Sequence, residues 1–219
     1  HGTAAQCIAI PEAQAVPLPA NTSFEAGACL GIPALTALRA CLTDGGVAGQ
    51  SVLVAGGAGA VGHYAIQFAR LLGARSIIAT VSSPQKAAHA MAAGADACVD
   101  YRREDAGARV RELTDGRGVD RVIEVDIAAN AKLLPQVLAQ DGLCVVYGSG
   151  AAEFTLPFFP MILGGVGLRC FIVYELSAAA RAECEALLTR FLAEGRLQHA
   201  IAGTLPLADS AAAHEIVQA

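Results

Sequence analysis

The sequence lacks tryptophan, is poor in aromatic residues and carries little charge for its length. Charged residues make up 16% of the 219 residues and the net charge is −5, without a basic cluster. This composition excludes nucleic acid as the expected partner. The apolar runs are short and broken by glycine, proline or charge, so we expect no membrane span. Apolar residues are plentiful, at 54%, which is enough for a sizeable core.

The cysteines also exclude two classes of protein. They are odd in number, widely spaced and contain no C-x-x-C pair; they are Cys7, Cys29, Cys41, Cys98, Cys144, Cys170 and Cys184. This spacing argues against a disulfide scaffold and a structural zinc lobe. The amino terminus shows no basic and apolar regions of a signal peptide. We therefore expect reduced, mostly buried thiols in a cytoplasmic protein.

Strand and helix patterns alternate along most of the chain. The strand patterns lie near 51–55, 76–81, 97–100, 120–125, 142–147 and 168–173. The helical patterns lie near 61–73, 84–93, 104–114, 130–139 and 178–195. This alternation predicts an α/β fold with a parallel sheet covered on both faces. We expect a Rossmann-type, doubly wound, six-stranded sheet in the order 3-2-1-4-5-6, with its crevice at the carboxyl ends of strands one and four.

The two ends of the chain differ from this central pattern. Residues 1–22 are interrupted by three prolines and resemble the tail of another domain, with a strand and a turn. Residues 23–205 contain the alternating pattern, and residues 206–219 form a return segment that ends inside a helical pattern. We therefore expect a chain that is incomplete at both ends.

A lead-in helical segment precedes the first strand. Ser23 is a typical N-cap before a helical pattern that runs from Phe24 to Leu42. Pro33 interrupts this pattern and predicts either two helices or one kinked helix.

A glycine-rich turn follows the first strand pattern and opens the next helix. Gly57, Gly59 and Gly62 have the G-x-G-x-x-G spacing. We expect Gly57 to permit the turn, Gly59 to admit a pyrophosphate and Gly62 to let the helix pack on the strand. The predicted phosphate-binding turn comprises Gly57, Ala58, Gly59, Ala60, Val61 and Gly62. The alternative is a plain glycine-rich connection.

The residues after the second strand pattern bear on the choice of dinucleotide. An NAD-binding fold usually has an acidic residue there to bind the ribose hydroxyls. This chain instead has Ser82, Ser83 and Lys86, which are suited to a 2′-phosphate and predict NADPH. The alternative is that a serine only caps the next helix and the lysine is solvated. Both interpretations can hold together.

Two further groups are candidates for cofactor contact. Tyr101 follows the third strand pattern, where it can reach the adenosine phosphate or simply pack at the sheet edge. Gly148 and Ser149, with Gly150, follow the fifth strand pattern. They predict either a close approach of the nicotinamide ribose or an ordinary turn.

Together these residues resemble the medium-chain dehydrogenase/reductase superfamily, and most closely its zinc-independent quinone oxidoreductase branch of zeta-crystallin type. The segments that carry the resemblance are 31–37, 55–62, 94–96, 100–102, 116–120, 205–207 and 213–215.

The resemblance implies roles for several residues. It places Thr36 near the nicotinamide, and Lys86 and Tyr101 at the adenosine 2′-phosphate. It places the main chain around Phe171 and Val173 at the carboxamide, and Gly148 and Ser149 on the nicotinamide side. It also implies a homodimer formed through the edge strand 168–173.

The chain departs from the family pattern in two ways. Most of the amino-terminal catalytic domain, a chaperonin-10-like barrel, has no counterpart before residue 20. Ile32 occupies the position at which zinc alcohol dehydrogenases carry a cysteine ligand, and an aliphatic side chain cannot bind zinc. We therefore assign no metal ligand and no catalytic residue. His63 and Tyr64 lie in the first turn of the helix after the glycines, so we expect them to be packing or phosphate-side residues.

The predicted activity is zinc-independent, NADPH-dependent hydride transfer to a quinone or another α,β-unsaturated carbonyl compound. One alternative is an enoyl-thioester reductase, including the enoyl-reductase domain of a polyketide synthase. Another is a protein that binds NADPH or has a structural role without turnover. A zinc alcohol dehydrogenase is disfavoured by Ile32.

Overall fold

The computed structural model describes residues 4–218, and it contains a six-stranded parallel sheet. The strands are β1 (Ser51–Val54), β2 (Ser76–Val81), β3 (Ala97–Asp100), β4 (Val119–Glu124), β5 (Leu138–Val146) and β6 (Gly167–Cys170). Their order is β3-β2-β1-β4-β5-β6, so the predicted sheet topology is confirmed.

Helices cover both faces of the sheet. They are α1 (Phe24–Ala28), α2 (Gly31–Leu42), α3 (Ala60–Leu71), α4 (Pro84–Ala92), α5 (Ala106–Leu113), α6 (Ile127–Asn130), α7 (Leu134–Val137), α8 (Phe158–Leu163), α9 (Ala178–Ala193) and α10 (Ser210–Gln218). Among the described residues, none of these helices is both long and apolar enough to cross a membrane.

Alternation along β1 shows how the two layers form. Val52 and Val54 belong to the core beneath α2, α3 and α9, whereas Leu53 belongs to the core on the opposite face with α5 and α7. All four residues of β1 are buried, because a central parallel strand is covered from both sides. This double burial explains the short, nearly continuous apolar runs in the sequence.

The predicted helix over 130–139 is wrong. The structure has two short helices there, α6 and α7, and β5 begins at Leu138. Pro135 lies in the first turn of α7, a position that tolerates proline, whereas the interior of one long helix would not. Leu138 pairs with Val119, and the register shifts before Arg121, so the early part of β5 is irregular.

The edge strand is shorter than predicted, and one helix was missed. β6 ends at Cys170 and a 3-10 turn occupies Val173–Glu175. The last ladder bond runs from Phe171 N to Val146 O, where β5 itself ends. Helix α8, with its exposed apolar side chains, was not predicted.

The lead-in region confirms the prediction of two helices. Ser23 caps α1 by accepting a hydrogen bond from Ala26 N at 3.2 Å. Pro33 lies in the first turn of α2, after the break between the helices. The expected strand before residue 22 is absent from residues 4–22, where only Glu12–Gln14 form a 3-10 turn; residues 1–3 lie outside the described residues. The division at residues 22 and 205 remains a prediction.

Candidate functional site

The glycine-rich turn joins β1 to α3 and is held against the end of β2. Gly56 N donates to Thr80 Oγ1 and Gly57 N donates to Thr80 O, both at 3.0 Å. Gly56 has φ +65°, which is the left-handed conformation that favours glycine. The residue that permits the sharp turn is therefore Gly56, and our assignment of that role to Gly57 is wrong.

Gly57 and Gly62 are required by close packing. A Cβ on Gly57 would lie 2.6 Å from Ala79 Cβ, so this residue brings the turn against β2. A Cβ on Gly62 would overlap Gly56 O and lie 2.8 Å from Gly57 Cα. Gly62 therefore lets α3 approach the turn closely, as the spacing predicted.

The amino terminus of α3 is open to a ligand. Gly59 is its N-cap and makes no side-chain capping bond. A Cβ on Gly59 would contact only Gly56 O, at 3.3 Å. The first amides of the helix therefore lack a side-chain partner, and the turn presents main chain rather than side chains. An uncapped helix start preceded by such a turn fits a phosphate group.

Hydroxyl and ammonium groups meet at the end of β2. Ser83 caps α4 through a hydrogen bond from Lys86 N at 3.3 Å, which confirms the capping interpretation. Lys86 is exposed, and its Nζ donates to Ser82 Oγ at 3.0 Å. The ammonium group therefore lies beside the Ser82 hydroxyl, near the amino terminus of α4.

A shallow depression of about 320 Å³ adjoins Ser83. Arg103, Asp100 and Glu104 also line it. Arg103 Nε lies 3.7 Å from Asp100 Oδ2, so the arginine partly offsets the nearby acids. Arg103 was not among the predicted residues, although it follows Tyr101 by only two residues.

The predicted crevice exists as a cavity of about 410 Å³ at the carboxyl ends of the central strands. Gly56, Thr80, Tyr101, Glu124 and Asn130 are among its lining residues. Tyr101 is 53% exposed, so it borders the cavity rather than packing inside the sheet.

The wall formed after β4 was missed by the sequence analysis. Glu124 is only 2% exposed, and its Oε1 accepts hydrogen bonds from Asp126 N at 2.6 Å and Asn130 Nδ2 at 2.9 Å. Burial raises the pKa of Glu124, and these two hydrogen bonds oppose that rise. The signal in the sequence was an acidic residue at the carboxyl end of the fourth strand.

The Gly148–Gly150 loop packs directly on that wall. A Cβ on Gly148 would overlap Val125 O. Gly150 N donates to Asp126 Oδ1 at 2.8 Å, and Ser149 Oγ donates to Ala151 O at 2.7 Å. Local packing is thus sufficient to explain why glycine occupies positions 148 and 150.

The remaining candidates lie on α2 and after β6. Thr36 on α2 is 5% exposed, and α2 packs against the turn that begins at Val173, which is 6% exposed. Phe171 is half-buried against the same core. Ile32 lies in the first turn of α2 and is half exposed. The residues that the structure describes contain no cluster of three or more metal-binding side chains.

His63 and Tyr64 are packing residues, as expected. His63 Nε2 lies 3.2 Å from Gln198 O, and its ring stacks on His89. Tyr64 Oη lies 2.8 Å from His199 Nδ1. Burial, and then the neighbouring His89, lower the pKa of His63. These contacts attach the segment after α9 to α3.

Comparison with known proteins identifies the family. Residues 60–194 match the family described as zinc-binding dehydrogenase. A 2-haloacrylate reductase from a Burkholderia species is 33% identical over 175 residues, which cover 76% of this chain and 51% of that protein. A quinone oxidoreductase from Pseudomonas aeruginosa is 34% identical, over 67% of this chain and 45% of that protein. A crotonyl-CoA reductase from Streptomyces collinus is 34% identical, over 56% of this chain and 32% of that protein.

A solved structure supports the same conclusion. The structure of an NAD-dependent alcohol dehydrogenase superposes with a TM-score of 0.89 at 32% identity, covering all of this chain and 62% of that one. The chain spans about half the length of the first two relatives. The chain belongs to the zinc-binding dehydrogenase family and, within the medium-chain dehydrogenase/reductase superfamily, resembles the quinone oxidoreductases.

Proposed function

We propose that this chain provides the cofactor-binding part of an NADPH-dependent reductase. The observation that carries the proposal is the group at the end of β2, where Lys86 Nζ lies 3.0 Å from Ser82 Oγ and Ser83 caps α4. A 2′-phosphate would receive an ammonium group, hydroxyls and a helix amino terminus there. No acidic residue directly follows β2, and Arg103 pairs with Asp100, one of the two acids that line the depression beside Ser83.

The other proposed cofactor contacts come from the glycine spacing and from the family resemblance. The turn from Gly57 through Ala58, Gly59, Ala60 and Val61 to Gly62 would hold the pyrophosphate on main-chain amides. Tyr101 and the wall after β4 would enclose the adenosine side. Thr36, Gly148, Ser149, Phe171 and Val173 remain the proposed residues of the nicotinamide side. When bound, NADPH supplies a hydride, and these residues orient the ring and exclude water.

The proposed acceptor is a quinone or another α,β-unsaturated carbonyl compound. The names of three relatives support this class, because quinones, haloacrylates and crotonyl thioesters all carry a carbon–carbon double bond conjugated to a carbonyl group. Hydride addition to a quinone leaves a phenolate, which is already a stable anion, so a quinone needs little acid catalysis. The crotonyl-CoA reductase relative favours an enoyl-thioester reductase as the second candidate.

We propose further that the reductase works without zinc, in a reducing cytoplasm and as a homodimer. Ile32 stands where zinc-dependent relatives would need a thiolate ligand. All seven cysteines are free. β6 forms one edge of the sheet, and α8, just before it, exposes Phe158 and Phe159. An exposed edge of this kind needs a cover, which a second copy would supply.

Loss of nicotinamide absorbance tests the acceptor. The protein, at the full length that its relatives have, is mixed with NADPH and either a simple para-quinone or crotonyl thioester, and the rates are compared. The proposal predicts faster oxidation of NADPH with the quinone. Turnover only with the thioester would support the second candidate. Tight NADPH binding with neither reaction would support a binding protein without turnover, and stoichiometric zinc would overturn the zinc-free mechanism.

A further inference from the structure

A buried carboxylate lies in the crevice wall. Glu124 is the last residue of β4 and is 2% exposed. One oxygen, Oε1, accepts both the main-chain N–H of Asp126 and the side-chain amide of Asn130, at 2.6 and 2.9 Å. Both donors belong to the same short segment, 125–130. A single acceptor thus fixes the start and the end of that segment.

The segment 125–130 forms one side of the crevice. Val125, Asp126, Ala129 and Asn130 all line the cavity, together with Gly56 of the glycine-rich turn and Thr80 of β2. A shift of this segment would therefore change the width of the proposed cofactor site.

The segment 125–130 is also hydrogen-bonded to the loop that follows β5. Asp126 Oδ1 accepts a hydrogen bond from Gly150 N at 2.8 Å, and Ile127 N donates to Gly148 O at 3.2 Å. A connection therefore runs from Glu124 through Asp126 to the loop that follows β5. This connection adds to the main-chain pairing that already joins the carboxyl ends of β4 and β5.

The carboxylate is costly for folding at this position. Burial of an ionised carboxylate is unfavourable, and an apolar side chain of similar volume would avoid that penalty. What the carboxylate supplies and leucine would not is an acceptor strong enough for two N–H donors. Its contribution is thus to the placement of the wall.

We propose that Glu124 is a positioning residue for cofactor binding, which acts by holding the segment 125–130 through Asn130 and the Asp126 amide. The inference rests on the proposed function, since it takes the 410 Å³ cavity as the NADPH site. Glu124 need not touch the cofactor for this effect.

The test is a set of NADPH titrations on the chain and its variants. Glu124→Leu removes the acceptor, and we expect the Kd to rise about tenfold because two donors lose their partner. Glu124→Gln keeps an oxygen acceptor, so we expect a rise of about threefold or less. Asn130→Ala removes one donor and should have an intermediate effect. Glu112→Gln makes the same change on the exposed face of α5 and should leave the Kd unchanged.

A double-mutant cycle and a pH profile separate positioning from general loss of structure. Asn130→Ala should weaken NADPH binding much less in the Glu124→Leu background than in the unmodified chain, because the two residues act through one hydrogen bond. As the pH falls, the Kd ratio of the unmodified chain to Glu124→Gln should rise, since only the carboxylate can be protonated. Titration of the NADPH phosphate is common to both proteins and cancels in the ratio.

The outcomes distinguish this inference from the proposed function. If the unmodified chain does not bind NADPH, the proposed function fails and this inference fails with it. If the unmodified chain binds NADPH but Glu124→Leu folds and binds equally well, the positioning role alone is overturned. If Glu124→Leu does not fold, an Asn130→Ala variant that binds NADPH as tightly as the unmodified chain, together with a flat Kd ratio across pH, overturns the positioning role.

Discussion

Arg121 and Glu124 are buried charges on the same strand with different consequences. Arg121, 1% exposed, lies near the amino end of β4, and its guanidinium donates to Thr43 O at 2.7 Å and to Gly46 O at 3.0 Å. It thereby satisfies carbonyl groups just after α2 and stabilises the fold. Glu124, at the carboxyl end, binds only the crevice wall. The amino end of β4 thus supports the scaffold and the carboxyl end supports the site.

The raised pKa of Glu124 makes a prediction about stability. The folded protein binds the proton on this group more tightly than the unfolded chain does, because burial disfavours the ionised form. The free energy of unfolding, relative to that of Glu124→Gln, should therefore fall as the pH rises from the ordinary glutamate range through the raised pKa. Above that window, Glu124→Gln should be more stable by about 1 kcal/mol.

Urea unfolding at a series of pH values measures this difference. Glu112→Gln is the control, since Glu112 is exposed and its replacement should leave the stability within about 0.5 kcal/mol at each pH. A Glu124→Gln variant that is less stable than the unmodified chain at neutral pH would contradict the assignment of burial as the dominant cause.

At the scale of elements, the close contact of α3 with the turn is the central packing feature. Alanine at position 62 would place its Cβ against two main-chain groups, Gly56 O and Gly57 Cα, neither of which can rotate away. We expect Gly62→Ala to lower the free energy of unfolding by about 2 kcal/mol and to weaken NADPH binding, because α3 must move off the turn.

The matched control for this change is Gly31→Ala. Gly31 is in the first turn of α2, and no atom lies within 4 Å of the Cβ it would gain. Its replacement should leave stability unchanged or raise it by a few tenths of a kcal/mol, roughly the gain in helix propensity. If urea unfolding showed the same loss in the free energy of unfolding for Gly62→Ala and Gly31→Ala, the packing argument would be contradicted.

The elements predicted well are those that carry a strong pattern. β1 and β2 are buried on both faces, and α3 and α9 follow capped or glycine-led starts, so their positions were evident from the sequence. The error over 130–139 arose because Val137, Leu138 and Ala139 form a short buried apolar run across the end of α7 and the start of β5, and periodicity cannot separate helix from strand in such a run. Leu138 belongs to a strand because it pairs with Val119, and these two residues are far apart in the sequence.

At the scale of the whole molecule, the candidate groups converge on the carboxyl edge of the sheet. The parallel arrangement brings the turn after β1, the serines after β2, Tyr101 after β3 and Glu124 at the end of β4 to this edge. The sequence could predict the first three because each follows a strand directly. It did not predict the Glu124–Asn130 contact or the role of Gly56, because these depend on how loops from different strands pack.

The account depends most on the phosphate site at the end of β2. The decisive measurement is the Kd of NADPH and of NADH for the unmodified chain, for Lys86→Ala and for Lys132→Ala, which alters the other lysine of the sequence. We predict that the unmodified chain prefers NADPH and that Lys86→Ala weakens NADPH by about tenfold or more while changing NADH by less than about twofold. Lys132→Ala should change neither value. An equal loss of affinity for both cofactors in Lys86→Ala would contradict the proposed phosphate site. Equal affinity of the unmodified chain for NADPH and NADH would also contradict it.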